Sequence, residues 1–311
     1  MIGLDVHDLR STDASRHRDA IEAIGQAGRS IGAFSLRAHG LDPALIARTF
    51  GVMREFYALP QEVRLRYAAE EANFRGYQPL PTVSGDMREK FLVTTRLGAR
   101  DASRPNIMPG ENRWPAEVDG FRETVEECQR ELTMLGRVVL QGIAESLGLS
   151  PGAFDGDFTE PGGSCLWLLH YPATPTVRGQ PAQGTSPHSD LHPLAIIVQD
   201  DQEALDVLCD GSWSAVDPAR DPIVCQMGDT IARWSNDRFR PNVHRVRSPV
   251  SRSRYSLALF MQPAFDSIIA PVETCVTGDR PARYPPQTFA ECLAEWFNAI
   301  EEGRAGYVPG V

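Results

Sequence analysis

The sequence predicts an α+β fold in which helices come first and short strands follow, and three observations lead there. Through much of the first 150 positions apolar residues recur at helical spacing, the signature of amphipathic helices. After Ser150 the texture changes to short runs rich in β-branched and aromatic residues, separated by clusters of Gly, Pro, Asp and Asn, the pattern of consecutive strands. No internal repeat or low-complexity linker interrupts the 311 residues, a length that all-β barrels with helical additions often reach as one unit. One domain over 1–311 is therefore expected: a mainly helical part over 1–150, a strand-rich core over 151–285 that carries the site, and a C-terminal helix and tail over 286–311.

Taken in order, Asp13 is a good N-cap for a first helix that carries Ile21 and Ile24 and stops at Gly28. A strand is expected over 31–36. Asp42-Pro43 repeats the start signal, a capping residue with proline at the first helical position, ahead of Leu45, Ile46, Phe50, Met53 and Phe56. The longest helix is expected over 118–147, where Val118, Phe121, Val125, Cys128, Leu132, Leu135, Val139 and Ile143 form one stripe that ends before Gly148. A helix of that length would give a barrel a backbone to pack on. Strands follow over 165–171, 194–199, 223–226, 230–234, 242–246 and 255–261, with a mobile loop over 172–187. An amphipathic helix through Phe289, Leu293, Trp296, Phe297 and Ile300 closes the series.

A net charge of -10 argues against non-specific attraction to nucleic acid or to an anionic membrane, since both need a basic footprint. It does not argue against a small anionic ligand, which one or two local cations in a pocket recognise. The six cysteines are isolated, with no C-x-x-C pair, and residues 1–10 lack the positive, then apolar, pattern of a secretory signal. No run approaches the roughly 18–20 apolar residues of a membrane span. A cytoplasmic chain acting on a small molecule, with no obligate protein partner, is expected.

The chemistry concentrates in His188-Ser189-Asp190 and in His244, 54 positions beyond Asp190. Two imidazoles and a carboxylate match the facial triad of non-haem Fe(II) oxygenases, which leaves coordination positions open for substrate and O₂. On an extended segment residues two apart point to one side, so His188 and Asp190 can grip one ion while the third ligand comes from another strand. An H-x-D pair alone occurs by chance. What strengthens it is Arg254-Tyr255-Ser256, where a guanidinium and a hydroxyl on one side of a strand suit a carboxylate. An arginine inside the apolar run of Leu257, Leu259 and Phe260 would be costly without an anionic partner.

These residues form an ordered series with Asp210-Gly211-Ser212-Trp213, Met227-Gly228-Asp229 and Arg233-Trp234-Ser235-Asn236. The series resembles the isopenicillin N synthase-like family of 2-oxoglutarate/Fe(II)-dependent dioxygenases. Ala38-His39-Gly40-Leu41, Phe56-Tyr57-Ala58-Leu59-Pro60, Arg75-Gly76-Tyr77 and Arg113-Trp114-Pro115 extend the likeness to essentially the whole chain. The resemblance implies a double-stranded β-helix (jelly roll) flanked by N-terminal and C-terminal helices, with one long supporting helix. It implies iron on His188, Asp190 and His244, O₂ and 2-oxoglutarate as cosubstrates, and Arg254, Ser256 and Tyr171 around the far carboxylate of 2-oxoglutarate. The implied reaction oxidises an unactivated C–H bond of a small molecule, giving succinate and CO₂, with hydroxylation as the default and desaturation, epoxidation or cyclisation as other outcomes. The family's habits suggest secondary metabolism.

Several positions depart from the pattern. Leu169 stands where the family often has Asn, which removes one polar contact to the cosubstrate. His192 falls by alternation on the side of His188 and Asp190, and is a rival ligand, a substrate contact or a rim residue. With Trp167, Phe260 and Met261 it makes up the expected substrate pocket, although core packing is an equal reading of the last three. Met227-Gly228-Asp229 and Arg233-Trp234-Ser235-Asn236 read as turns. Two other functions fit the same residues: an iron oxidase of this fold that consumes no 2-oxoglutarate, and a jelly-roll protein that binds metal and ligand without catalysis.

Overall fold

Helix starts and stops follow the capping chemistry closely. The computed structural model describes residues 1–69, 74–80, 86–95, 110–158, 163–174, 183–249 and 251–301. An edge strand, β1 (Ile2–Asp5), and the short α1 (Val6–Leu9) precede α2 (Ala14–Ser30), whose first turn is held by Asp13 Oδ1 accepting from the Ser15 amide at 2.9 Å. Then come β2 (Ala33–Arg37) and α3 (Pro43–Ala58), capped by Asp42 Oδ1 on the Ala44 amide at 2.8 Å. After α4 (Gln61–Arg64), β3 (Gly76–Gln78) and β4 (Glu89–Thr94) comes the supporting helix α5 (Phe121–Ser146). It starts three residues later than its apolar stripe suggests, because Gly120 adopts φ 68°, a left-handed conformation that no helix continues through. Val118 still packs in the core, just outside the helix.

The strand-rich half contains β5 (Gly163–Tyr171), β6 (Gln183–His188), β7 (Leu194–Gln199), β8 (Leu205–Cys209), β9 (Ser212–Ala215) and β10 (Ile223–Met227). It continues through α6 (Asp229–Trp234), β11 (His244–Arg247), β12 (Arg254–Gln262), the paired β13 (Ile268–Ile269) and β14 (Gln287–Thr288), and α7 (Phe289–Glu301). The segment 230–234 is thus a helix rather than the expected strand. The amides of Ile231 and Ala232 both turn back to the Gly228 carbonyl, at 3.0 and 3.3 Å, which starts a helical turn before any strand partner is met. Of the loop expected over 172–187, residues 175–182 lie outside the described residues, and 183–187 belong to β6, paired with β11.

One sheet runs β1-β2-β10-β7-β12-β5-β4-β3 and the other β6-β11-β8-β9; apart from the parallel edge pair β1·β2 the pairing is antiparallel. This is the jelly-roll core of an α+β fold. Two apolar clusters divide the large sheet by face. Inside the barrel, Leu92, Cys165, Leu169, Ile197, Ala258 and Phe260 meet Leu205, Val207 and Val246 of the small sheet. On the outer face, Phe91, Val93, Leu166, Leu168, Leu257, Leu259 and Met261 meet α3 and α5 through Phe56, Val125, Leu132 and Val139. Among the described residues no helix is long and apolar enough to cross a membrane.

Candidate functional site

His188 ends β6 directly opposite His244, the first residue of β11, and the two imidazoles lie with ring centroids 4.3 Å apart. Asp190 is past the end of β6, so strand alternation does not hold it. Backbone hydrogen bonds do: the Asp229 amide donates to the Asp190 carbonyl at 2.8 Å, and the Thr230 hydroxyl donates to the Leu191 carbonyl at 2.7 Å. The Ser189 hydroxyl closes the turn on Asp229 Oδ1 at 2.9 Å. Met227-Gly228-Asp229 therefore has a structural part, as its turn-forming residues suggest, and that part is to hold a candidate ligand.

The donor set fits a divalent metal. Ligand atoms of His188, Asp190 and His244 lie within 4.8 Å of one another, with His188 Nε2 3.6 Å from Asp190 Oδ1 and His244 Nε2 4.0 Å from Asp190 Oδ2. Each ring directs Nδ1 at a carbonyl two residues back, that of Ser186 at 2.8 Å and of Asn242 at 3.4 Å. Those bonds fix the tautomer that leaves Nε2 with a lone pair facing the site. Asp190 Oδ2 is buried and accepts no hydrogen bond among the described residues, a costly state for an oxygen without a cation. Burial, and next the neighbouring His244, bring His188 down to about 4, and burial brings His244 to about 4, so both are neutral donors near pH 7. Burial raises Asp190, partly opposed by His188 and Arg88.

The inward face of β12 carries Arg254, Ser256, Ala258 and Phe260 in alternation. Arg254 is buried and donates through its two terminal nitrogens to Ser256 Oγ at 3.1 Å and Gln199 Oε1 at 3.2 Å, and through Nε to the Gln202 carbonyl at 3.3 Å. Its guanidinium lies over the Tyr171 ring, 5.2 Å from the centroid, and Tyr171 is Arg254's cross-strand partner. The Tyr171 hydroxyl meets Thr185 Oγ1 at 3.2 Å. No carboxylate contacts the guanidinium among these bonds, so the cluster is a ready-made anion site, and burial lowers the Arg254 pKa from its ordinary value.

Trp167 and Phe260 pack edge to face inside the barrel at 4.9 Å, and His192 lies 5.0 Å from Phe260, outside the three-ligand group. Met261 does not belong with them. Its neighbour Phe260 points into the barrel, so Met261 points to the opposite face and packs on Gly136 of α5. Sequence reasoning gave no role to Gln199, a polar end to the apolar strand β7, although it lies in the family-like run Val198-Gln199-Asp200-Asp201, and it passed over Arg88, whose positive charge acts on all three candidate ligands. The polar end of β7 was a usable signal; Arg88 had no motif to mark it.

Comparison with known proteins identifies the family. The profile of the 2OG-Fe(II) oxygenase superfamily matches residues 162–263, and that of the non-haem dioxygenase N-terminal region named for morphine synthesis matches 4–117. The 2-oxoglutarate-dependent dioxygenase citB of Monascus ruber is 30% identical over 283 residues, covering 85% of each chain. Flavanone 3-dioxygenase 2 of Oryza sativa subsp. japonica is 31% identical over 299 residues, covering 95% of this chain and 84% of its own. The crystal structure of a protein described as of the 2OG-Fe(II) oxygenase family, from Caulobacter crescentus, superimposes with a TM-score of 0.84 at 28% identity, over 96% of this chain and 99% of that one.

Proposed function

Because this chain belongs to the 2OG-Fe(II) oxygenase superfamily, we propose that His188, Asp190 and His244 hold its iron and that Arg254, Ser256 and Tyr171 hold the far carboxylate of its 2-oxoglutarate. The protein is a 2-oxoglutarate-dependent dioxygenase of small molecules. When bound, iron and 2-oxoglutarate supply the oxidising chemistry, consuming O₂ and releasing succinate and CO₂. The chain's own residues orient the reactants. Ser186 and Asn242 hold the imidazole tautomers through Nδ1, and Asp229 and Thr230 hold the loop of Asp190. Arg254 and Ser256 offer an anion two charge-assisted or neutral donors from one strand face, with Gln199 steadying the guanidinium.

The observation that carries this assignment of residues is the pairing of two incomplete sites in one barrel. One is a buried carboxylate oxygen that accepts no hydrogen bond among the described residues, between two neutral imidazoles, and the other is a buried guanidinium that no carboxylate contacts among them. A metal ion and a dicarboxylate would complete both. Hydroxylation is the outcome we assign to the substrate C–H bond. The continuous outer core, which runs from Leu4 to Leu293, supports one domain over 1–311, and the six isolated cysteines support a reducing, cytoplasmic setting.

The test is anaerobic titration of the purified chain with Fe(II) and 2-oxoglutarate, followed by admission of O₂ and measurement of succinate. A metal-to-ligand charge-transfer band and succinate formation are expected, with the band lost in His188→Ala and its 2-oxoglutarate midpoint raised in Arg254→Met. Iron binding in the wild type with neither band nor succinate would sink the proposal.

A further inference from the structure

Of the 31 Lys and Arg residues in the chain, a single one is a lysine, Lys90, and it points into the barrel. Lys90 stands in β4 opposite Leu169 of β5, on the face shared with Leu92 and Trp167. Its ammonium lies over the Trp167 indole, 3.8 Å from the ring centroid, and the Arg88 guanidinium lies over the same ring at 5.9 Å. Leu92 and Leu169 on that face are buried, whereas Lys90, Arg88 and Trp167 are only partly so. Arg88 has a carboxylate partner in Asp86, so the Lys90 ammonium is the charge on this aromatic surface that an entering anion would compensate.

The anions already accounted for do not include one for Lys90. In the function proposed above, Arg254 and Ser256 would hold the far carboxylate of 2-oxoglutarate, and its other end would belong to the metal site. Arg88 has Asp86 at 3.7 Å and donates to Thr185 Oγ1 at 3.1 Å. Lys90 Nζ has no hydrogen bond or ion pair among the described residues. Arg88 Nε, which is buried, likewise has no hydrogen bond among them. We propose that Lys90 Nζ and Arg88 Nε bind a carboxylate of the primary substrate, whose apolar body lies along Trp167 and Phe260. This rests on the function proposed above and names the substrate class: small apolar or aromatic acids.

The electrostatics of the face agree. Burial, then Arg88, brings Lys90 down to about 7, while Cys165 and Asp86 act in the opposite direction. A bound carboxylate restores the charged form. A single uncompensated charge matches a monoanion better than a phosphate, which calls for several donors.

Having one lysine makes the test direct. Reductive methylation with ¹³C-formaldehyde labels Lys90 as the single side-chain amine, and its NMR signal is followed in the full chain loaded with Zn(II) and 2-oxoglutarate. The probes are benzoate, phenylacetate, 3-phenylpropionate and 4-phenylbutyrate, each beside its primary amide, with affinities measured by calorimetry on unlabelled protein. At least one acid is expected to raise the Lys90 midpoint by about one pH unit and to bind roughly 10- to 100-fold more tightly than its amide. Lys90→Met loses that preference, Lys90→Arg keeps part of it, and both bind 2-oxoglutarate as the wild type does. The inference is overturned if no acid outbinds its amide, or if Lys90→Met keeps the preference. It is overturned too if Lys90→Met weakens 2-oxoglutarate and leaves acid binding intact, which would assign the lysine to the cosubstrate. Failure of the wild type to bind 2-oxoglutarate, measured before any probe is added, overturns the proposed function itself.

Discussion

At Gly228 an added methyl carbon would fall 2.1 Å from the His192 carbonyl oxygen and 2.4 Å from that of Asp190, so the backbone behind the candidate carboxylate ligand closes only around a hydrogen. Gly228→Ala must push that loop outward by more than side-chain rotation can absorb. Metal affinity should fall by more than about tenfold, since ligand-orienting partners outside the coordination sphere typically carry 10–100-fold; titration with Co(II) or Ni(II) reads it directly. Unchanged affinity would show that Asp190 is positioned some other way. Residue identity and spacing made His188, Asp190 and His244 legible in the sequence. The hold on Asp190 was not, because β6 stops at His188 and the bonds that replace it come from residues 229 and 230. Lys90 and Arg88 carry no motif, and only their shared indole gives them meaning.

Along β12 and β4, neighbouring residues live in different surroundings. Phe260 faces the barrel and Met261 faces α5, so their alanine variants should separate cleanly. Met261→Ala should cost about 2–5 kcal/mol of stability in urea unfolding and leave turnover per folded molecule near wild type. Phe260→Ala should change substrate selection more than 2-oxoglutarate affinity; the reverse pattern would contradict the assignment of faces. Strict alternation in the sequence already forbade both from lining one pocket. Helix α6 was harder to read, since Thr230 and Ile231 suit a strand and only the Gly228 turn before them decides otherwise. On the outward face of β4, Glu89 takes hydrogen bonds from His170 at 2.7 Å, from Tyr77 and from Arg64. Burial pushes the Glu89 carboxyl up, but His170, Tyr77 and Arg64 together hold it below its ordinary value. A carboxyl lowered on folding contributes stability that is present above its unfolded pKa and lost as pH falls through the folded one. Glu89→Gln should therefore be less stable than wild type by about 1.5–3 kcal/mol at pH 7, because the partly buried Arg64 loses its carboxylate partner, and the gap should narrow below roughly pH 4. Urea midpoints at both pH values test this, and a gap independent of pH would refute it.

Across the whole molecule, one sheet separates two interiors: a barrel that holds the candidate metal and anion sites, and an outer core that holds the helices. Ligands that bind only the folded barrel stabilise the whole, by about 2.7 kcal/mol at a concentration 100 times the dissociation constant. Thermal melts should accordingly shift upward with Zn(II), further with 2-oxoglutarate added, and return with EDTA; a shift from 2-oxoglutarate alone as large as with metal would argue against shared coordination. The division into helical and strand-rich halves was visible in composition and period. Closure of the barrel was not, since pairing β6 with β11 and β7 with β12 depends on contacts far apart in sequence. That one-sheet partition also bears on how such a chain diversifies. Inward positions such as 90, 167 and 260 contribute little to the helix-packed core, so they are free to drift under selection for new substrates while outward positions preserve the fold. Laboratory evolution confined to the inward face of β4, β5 and β12 should yield altered specificities at a lower rate of unfolded clones than random mutagenesis of the same strands.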